Sequence, residues 1–214
     1  MKIFESIQND YLNTKVSPIK SLLNNDLRLH DKLENLGDSI STVKSIPNGE
    51  NELITLLFSG IGGKVYIPRK GDNNERFDAI ITFPEYKVIT EIEIPSTEIL
   101  DAPRNLLDDY AVVHCRKSGE NKSIIPLVVC WDLPNRRTDY WNVITDINSV
   151  LGLKIKTISI VALALYYLTG TPLDFSNNDF FLNHDNSAML SSKALLEKNG
   201  MSISDFPGYF EPYK

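Results

Sequence analysis

The sequence contains few of the residues from which disulfide frameworks and zinc sites are built. Of its 214 residues, 2 are cysteine and 3 are histidine. Cys115 and Cys130 form no C-x-x-C pair, and His114 beside Cys115 has no second ligand pair at a zinc-like spacing. Two isolated thiols argue against a disulfide framework and favour a reduced, cytoplasmic protein.

The chain also lacks the excess of positive charge that is typical of proteins binding nucleic acid by themselves. It has 28 acidic residues against 22 Lys and Arg, for a net charge of −6. A basic surface is what holds the phosphate backbone in sequence-independent binding. The balance argues against strong autonomous binding, and leaves open a local basic stripe or binding led by a partner subunit.

Long hydrophobic runs are missing as well. The most apolar stretch, Ile158 to Leu168, is shorter than the roughly 20 residues that cross a bilayer, and residues 1–6 lack the apolar segment of a signal peptide. We expect this stretch to be a buried strand or helix and the protein not to associate with membranes. The sequence also shows no internal repeat, no low-complexity tract and no phosphate-binding glycine loop.

What is present is an alternation of helical and strand-like segments. Apolar spacing predicts short helices over residues 1–46, packed on a domain spanning residues 47–214. Within that domain, the order helix, strand, hairpin, helix, strand, helix predicts an α/β fold with a mixed sheet and helices on both faces. Asn48 is expected to cap the first helix, and Pro126 to place its strand near an edge or bulge.

The hairpin carries three carboxylates among apolar residues. Its predicted strands, 76–83 and 87–96, contain Asp78 on the first and Glu91 and Glu93 on the second. Carboxylates are costly to bury unless they are paired, protonated or bound to a metal, so this placement favours a divalent-metal site. The alternative is that Glu91 and Glu93 form the wet face of an edge strand whose other side is core.

The strand register decides which acids meet. Side chains alternate between faces, so Glu91 and Glu93 share a face with Lys87 and Ile89. If the turn is Glu85-Tyr86, Asp78 falls opposite Glu93 and diagonal to Glu91. A three-residue loop would place Asp78 on the other face unless a bulge intervenes.

Asp78 followed by Glu91-Ile92-Glu93 on the next strand, and then by a helix and a strand, resembles the PD-(D/E)xK nuclease superfamily. The resemblance spans roughly Asn48 to Trp131 and implies a restriction endonuclease-like fold. It also implies that Asp78 and Glu91 are Mg²⁺ ligands and that Ile92 offers its backbone carbonyl. Glu52, or less favourably Glu50, takes the place of the acid on the preceding helix.

Two positions depart from the pattern of that superfamily. Phe77 precedes Asp78 where Pro is usual, and Glu93 stands where a Lys usually polarises the attacking water. Some restriction endonucleases of the superfamily carry E-x-E at this point and remain active. Glu93 would then orient or deprotonate the water, or hold a second metal, and Lys87 is a further candidate for the missing cation.

The function implied by the resemblance is a Mg²⁺-dependent endonuclease of restriction type, with Mn²⁺ as a substitute metal, acting on double-stranded DNA. The expected catalytic residues are Asp78, Glu91, Glu93 and Glu52. The protein would work as a homodimer, or as the cleavage subunit of a heterodimer whose partner recognises DNA. Alternatives are a non-catalytic DNA- or protein-binding module on a nuclease fold, and a structure-specific DNA repair nuclease.

Overall fold

A computed structural model describes residues 17–23, 26–68, 77–116, 122–183 and 186–213 of the chain. The helices expected within residues 1–16 lie outside the described residues. So does the start of the first hairpin strand, including Arg76.

The centre of the molecule is a five-stranded mixed sheet in the order β1-β2-β3-β4-β5. The strands are β1 (Lys64–Tyr66), β2 (Ala79–Thr82), β3 (Tyr86–Glu93), β4 (Ser123–Cys130) and β5 (Lys156–Ser159). The pairs β1–β2 and β2–β3 are antiparallel, whereas β3–β4 and β4–β5 are parallel. The predicted α/β class with a mixed sheet is confirmed.

Eight α-helices are described around this sheet. They are α1 (Pro18–Leu23), α2 (Leu29–Asp38), α3 (Ile40–Ser45), α4 (Gly49–Gly60), α5 (Ala102–Arg116), α6 (Asp139–Leu151), α7 (Ile160–Thr169) and α8 (Leu190–Lys198). A 3₁₀ turn, Ile203–Asp205, follows α8.

The helices cover both faces of the sheet, as predicted. Helix α5 packs on β3 and β4, on the face to which Glu91 points. On the other face, Phe83 contacts the ring of Phe175, and α4 packs against α7 and β1. Gly63, between α4 and β1, lies against β2. A Cβ added here would be 2.5 Å from Ile81 Cγ2, so only glycine fits without a shift of its neighbours.

The apolar run beginning at Ile158 divides between a strand and a helix. Ile158 ends β5, and Ser159 caps α7 by accepting a hydrogen bond from the Ala162 backbone N–H at 3.1 Å. Residues 160–165 are fully buried. The run is thus buried core, as expected, and the described residues contain no helix long and apolar enough to cross a membrane.

Pro126 lies where β4 is locally an edge. β4 pairs with β3 along its whole length, but β5 joins β4 only from Leu127 onward. Proline cannot donate a backbone hydrogen bond, and it is tolerated here because it stands one residue before that second ladder begins. The prediction of an edge position is confirmed.

The register of the hairpin differs from the sequence-based expectation. The turn is Pro84-Glu85, and the Phe83 backbone N–H donates to the Tyr86 carbonyl at 2.9 Å. Thr82 pairs with Lys87 and Ala79 with Thr90, so the expected register was wrong by two residues. Asp78 lies one residue before β2, and its backbone N–H donates to the carbonyl of Thr90, which is already the partner of Ala79, so the regular ladder ends at Ala79.

The expectation for Asn48 was also wrong in its mechanism. Asn48 precedes α4, but its φ of 58° is left-handed and its side chain makes no capping hydrogen bond. Asparagine tolerates this conformation better than most residues, so it serves as the turn residue that directs the chain into α4.

The described helices before residue 47 pack on the same core as the sheet. Leu33 and Leu36 of α2 are fully buried, and α2 contacts α7. The indole N–H of Trp131, just after β4, donates to the Gly37 carbonyl at 2.9 Å. The proposed boundary between residues 46 and 47 stays a prediction.

Candidate functional site

Asp78 lies where the β2–β3 ladder ends. Its backbone N–H donates to the Thr90 carbonyl at 3.2 Å. One carboxylate oxygen, Oδ2, accepts the Ile92 backbone N–H at 2.7 Å, so the side chain takes the place of a backbone acceptor one step beyond the strand. This contact fixes Asp78 beside β3 at the level of Glu91 and Ile92.

Glu91 lies in the central strand, between Asp78 and β4. It is half-buried and stands beside Val128 in the parallel register. The side-chain amide of Asn105 on α5 donates to Glu91 Oε1 at 3.1 Å. Strand β3 and helix α5 together therefore hold this carboxylate on the face that also carries Asp78.

The environment of Glu91 disfavours its charge. Burial is the main cause that raises the pKa of Glu91 from 4.5 to about 7, and the negative charge of Asp78 adds to it. The carboxylates of Asp109 and Glu93 act in the same direction, while the hydrogen bond from Asn105 lowers the pKa. A cation placed here would relieve both desolvation and repulsion.

The other two acids are shifted in the same direction. Asp78 is open to solvent on one side, yet the strands around it remove enough water to raise the pKa of its carboxyl, against the lowering effect of the Ile92 N–H. Desolvation also raises the pKa of Glu93, and Glu98 and Asp78 contribute repulsion. Neighbouring acids whose pKa values are raised by burial and by one another's charge mark a candidate functional site.

Helix α5 contributes residues that the sequence analysis did not single out. A cleft is lined by Glu91 together with Arg104, Asn105, Asp108 and Asp109. Asp109 is only 5% exposed. The signal was present: Asn105 and Asp109 are four residues apart, hence on one helical face, beside the apolar stripe that packs on the sheet.

Glu52, the expected helical acid, is not brought to this cleft by its described contacts. It is half-buried on α4, and its carboxylate accepts a hydrogen bond from the Ser17 hydroxyl. It lines a separate groove with Lys20, Asn48 and neighbouring residues of α4. The catalytic role of Glu52, or of Glu50, stays a prediction.

Two basic side chains, one on α5 and one just before β4, are bound to other protein groups. Arg104 lies 3.4 Å from an Asp139 carboxylate oxygen and 3.6 Å from one of Asp101. Lys122 donates to the Phe83 carbonyl at 2.9 Å. Lys87 shares the face of Glu91 but begins four residues away, about 13 Å along the strand at roughly 3.3 Å per residue.

The oxygen donors on this face suit a hard divalent cation. Mg²⁺ prefers one or two carboxylates and keeps several waters. Asp78 and Glu91, with the backbone carbonyl of Ile92, would supply such a set without nitrogen or sulfur ligands. Burial is the main cause of the raised pKa of both carboxyls, and the causes that lower it are hydrogen bonds from the Ile92 N–H and the Asn105 amide.

A different trio has the tightest arrangement of potential ligand atoms in the part of the chain described. The side-chain ligand atoms of His30, Asp31 and Glu34 all lie within 4.8 Å of one another. Arg28 already binds Asp31 through two hydrogen bonds of 3.0 and 3.1 Å. Among the described residues, no three such side chains that include Asp78, Glu91 or Glu93 bring their ligand atoms within this distance of one another.

Comparison with known proteins gives weak likenesses. No family model matches the chain, and no curated protein matches it. Two solved structures of the restriction endonuclease FokI are similar: one bound to DNA, with a TM-score of 0.48, 12% identity and 78% of this chain covered, and one described without DNA, with a TM-score of 0.47, 13% identity and 77% covered. The matched part is 33% of the FokI chain in both. TM-scores of this size do not establish a common function.

Proposed function

We propose that this chain is a Mg²⁺-dependent endonuclease that hydrolyses phosphodiester bonds of double-stranded DNA. The observation that supports it best is the proximity of the Asp78 and Glu91 carboxylates at the end of the β2–β3 ladder. Asp78 is held there by the Ile92 backbone N–H, and its negative charge helps to raise the pKa of Glu91. The E-x-E sequence after Asp78, which resembles the PD-(D/E)xK pattern, supports the same function.

The proposal gives each residue a distinct role. Asp78, Glu91 and the Ile92 carbonyl would hold Mg²⁺, and Mn²⁺ would substitute. A bound divalent ion lowers the pKa of a coordinated water and neutralises charge that builds on the phosphate. Glu93 would accept a proton from the attacking water, and its raised pKa makes it a stronger base than a fully solvated carboxylate.

The charge around the site supports a partnered enzyme. Asp109 and Glu93 add negative charge around Glu91, and Glu98 and Asp101 add it around Glu93. DNA phosphates would be repelled by this face unless metal ions or a basic partner neutralised it. We therefore propose that the protein acts as a homodimer, or as a cleavage subunit beside a DNA-recognition subunit.

Glu93 favours one second candidate, a non-catalytic DNA- or protein-binding module. In this chain an acid stands where the related nucleases usually have a Lys, and Lys87 begins too far along β3 to be an evident replacement. Without the positive charge of that Lys, the attacking water would not be activated, and the surface would still bind partners. This candidate predicts metal-independent binding without cleavage.

The decisive experiment combines cleavage and substitution. Purified protein is incubated with Mg²⁺ or Mn²⁺ on supercoiled plasmid, branched DNA and RNA. We expect plasmid cleavage that falls at least about 100-fold in Asp78→Asn, because one of the charged ligands is lost. The matched control is Glu197→Gln, an exposed acid of α8, which should cleave like the wild type.

The substrate arms separate the alternatives. Defined fragments from plasmid support an enzyme of restriction type, whereas cutting of branched DNA alone would favour a structure-specific repair nuclease. Cleavage that Asp78→Asn leaves unchanged would reject the assigned site. No cleavage of any substrate, with DNA or protein binding that ignores divalent ions, would favour the non-catalytic module.

A further inference from the structure

The amide of Asn105 meets the Glu91 carboxylate at the centre of the candidate site. We propose that Asn105 is a positioning residue, which fixes the orientation of Glu91 by binding Oε1 and directs its other oxygen toward a divalent cation. This inference rests on the proposed function of the site. Nothing in the sequence pattern singled out Asn105 for such a role.

The first support is the hydrogen bond itself. Asn105 Nδ2 lies 3.1 Å from Glu91 Oε1, within the normal range for an N–H donor and an oxygen acceptor. A carboxylate has two oxygens and rotates about its last bond unless one of them is held. A donor on one oxygen leaves a single direction for the other.

The second support is the rigidity of the element that carries Asn105. Helix α5 packs on both β3 and β4, and its Ala102 and Leu106 are fully buried. Asn105 immediately precedes Leu106, so the apolar anchor sets where the amide lies over the strand. The first turn is fixed by the backbone N–H of Asn105, which donates to the Asp101 carbonyl at 3.0 Å.

The third support is the chemistry of the amide. Asp78, Glu93 and Asp109 already surround Glu91 with negative charge. An amide donates a hydrogen bond without adding charge of either sign. A Lys or Arg at this position would compete with a metal for the carboxylate, whereas an Asp would add repulsion. Groups that hydrogen-bond metal ligands in this way typically contribute about 10- to 100-fold to metal affinity.

The test measures metal binding without DNA. Asn105→Leu removes the donor at nearly constant size, and Asn105→Gln keeps an amide. Asn142→Leu is the matched control, because Asn142 also donates from a helix to a carboxylate, that of Asp139, at 3.3 Å. By calorimetry with Mn²⁺ we expect Asn105→Leu to weaken binding about tenfold or more, Asn105→Gln to regain most of it, and Asn142→Leu to bind like the wild type.

A second readout uses metal-free protein and does not depend on the Asn105 variants. The side-chain amide signals of Asn105 in an NMR spectrum should move when Glu91, in otherwise wild-type protein, is replaced by Gln. Unmoved signals, or wild-type Mn²⁺ affinity in a folded Asn105→Leu protein, would overturn the positioning role alone. Wild-type protein that binds no Mn²⁺ would instead reject the proposed function and this role together.

Discussion

At the residue scale, Glu91 shows how far the sequence could predict this site. Alternation along a strand was enough to place Glu91 and Glu93 on one face of β3. It was not enough to give the register of the hairpin, because the register depends on which two residues form the turn, and Pro84-Glu85 and Glu85-Tyr86 both satisfy the same alternation.

The pKa of Glu91 predicts how the metal-free protein responds to pH. The pKa of this carboxyl is 4.5 in the unfolded chain and about 7 in the folded protein, so it costs the fold no stability below pH 4.5. The free energy of unfolding then falls as the pH rises from 4.5 through about 7. We expect Glu91→Gln to raise the free energy of unfolding at pH 8, by up to about 3 kcal/mol at roughly 1.4 kcal/mol per pKa unit.

The measurement is chemical denaturation at pH 4 and pH 8 in the presence of a chelator. At pH 4 the variant and the wild type should agree, since Glu91 is then protonated in both states. The exposed control Glu197→Gln should change little at either pH. A Glu91→Gln protein that is equally stable or less stable than the wild type at pH 8 would contradict the assigned environment.

At the element scale, helix α5 and strand β5 each carry a residue whose role sequence patterns did not predict. The apolar stripe of α5 was visible in the sequence. The contact of Asn105 with Glu91 was not, because it depends on how the helix lies across β3 and β4. Strand β5 begins with Lys156, which is only 4% exposed. Lysine is rarely buried, so no pattern would have placed it inside.

Lys156 joins β5 to the segment after α7. Its ammonium donates to the backbone carbonyls of Phe175 and Asn177. Burial lowers the pKa of Lys156 to about 8, against the opposing effect of Asp174. We expect Lys156→Met to destabilise the fold by about 1–3 kcal/mol, because buried carbonyls lose their donor.

Thermal and denaturant unfolding at pH 7 measure this effect. The matched control is Lys154→Met, since Lys154 is exposed and donates to the Asn178 side chain at 3.3 Å. The control should remain within about 0.5 kcal/mol of the wild type. Equal losses in both variants would show that the buried contacts of Lys156 contribute nothing specific.

At the scale of the whole molecule, the acidic balance seen in the sequence reappears at the site. The net charge of −6 argued against strong autonomous binding to nucleic acid. In the structure, acids gather around Asp78 and Glu91, and Arg104 in the same cleft is paired with Asp101 and Asp139. Composition predicted that the net charge is negative, and only the fold could show that negative charge gathers at the hairpin.

We propose that Asp78 and Glu91 together hold a divalent cation. A crystal structure of the wild-type protein soaked in Mn²⁺, with the ion located by its anomalous signal, tests this proposal. We expect a peak within about 2.3 Å of a carboxylate oxygen from each of Asp78 and Glu91. A Mn²⁺ peak elsewhere, for example at His30 and Glu34, with the Asp78–Glu91 pair bare at saturating Mn²⁺, would contradict it.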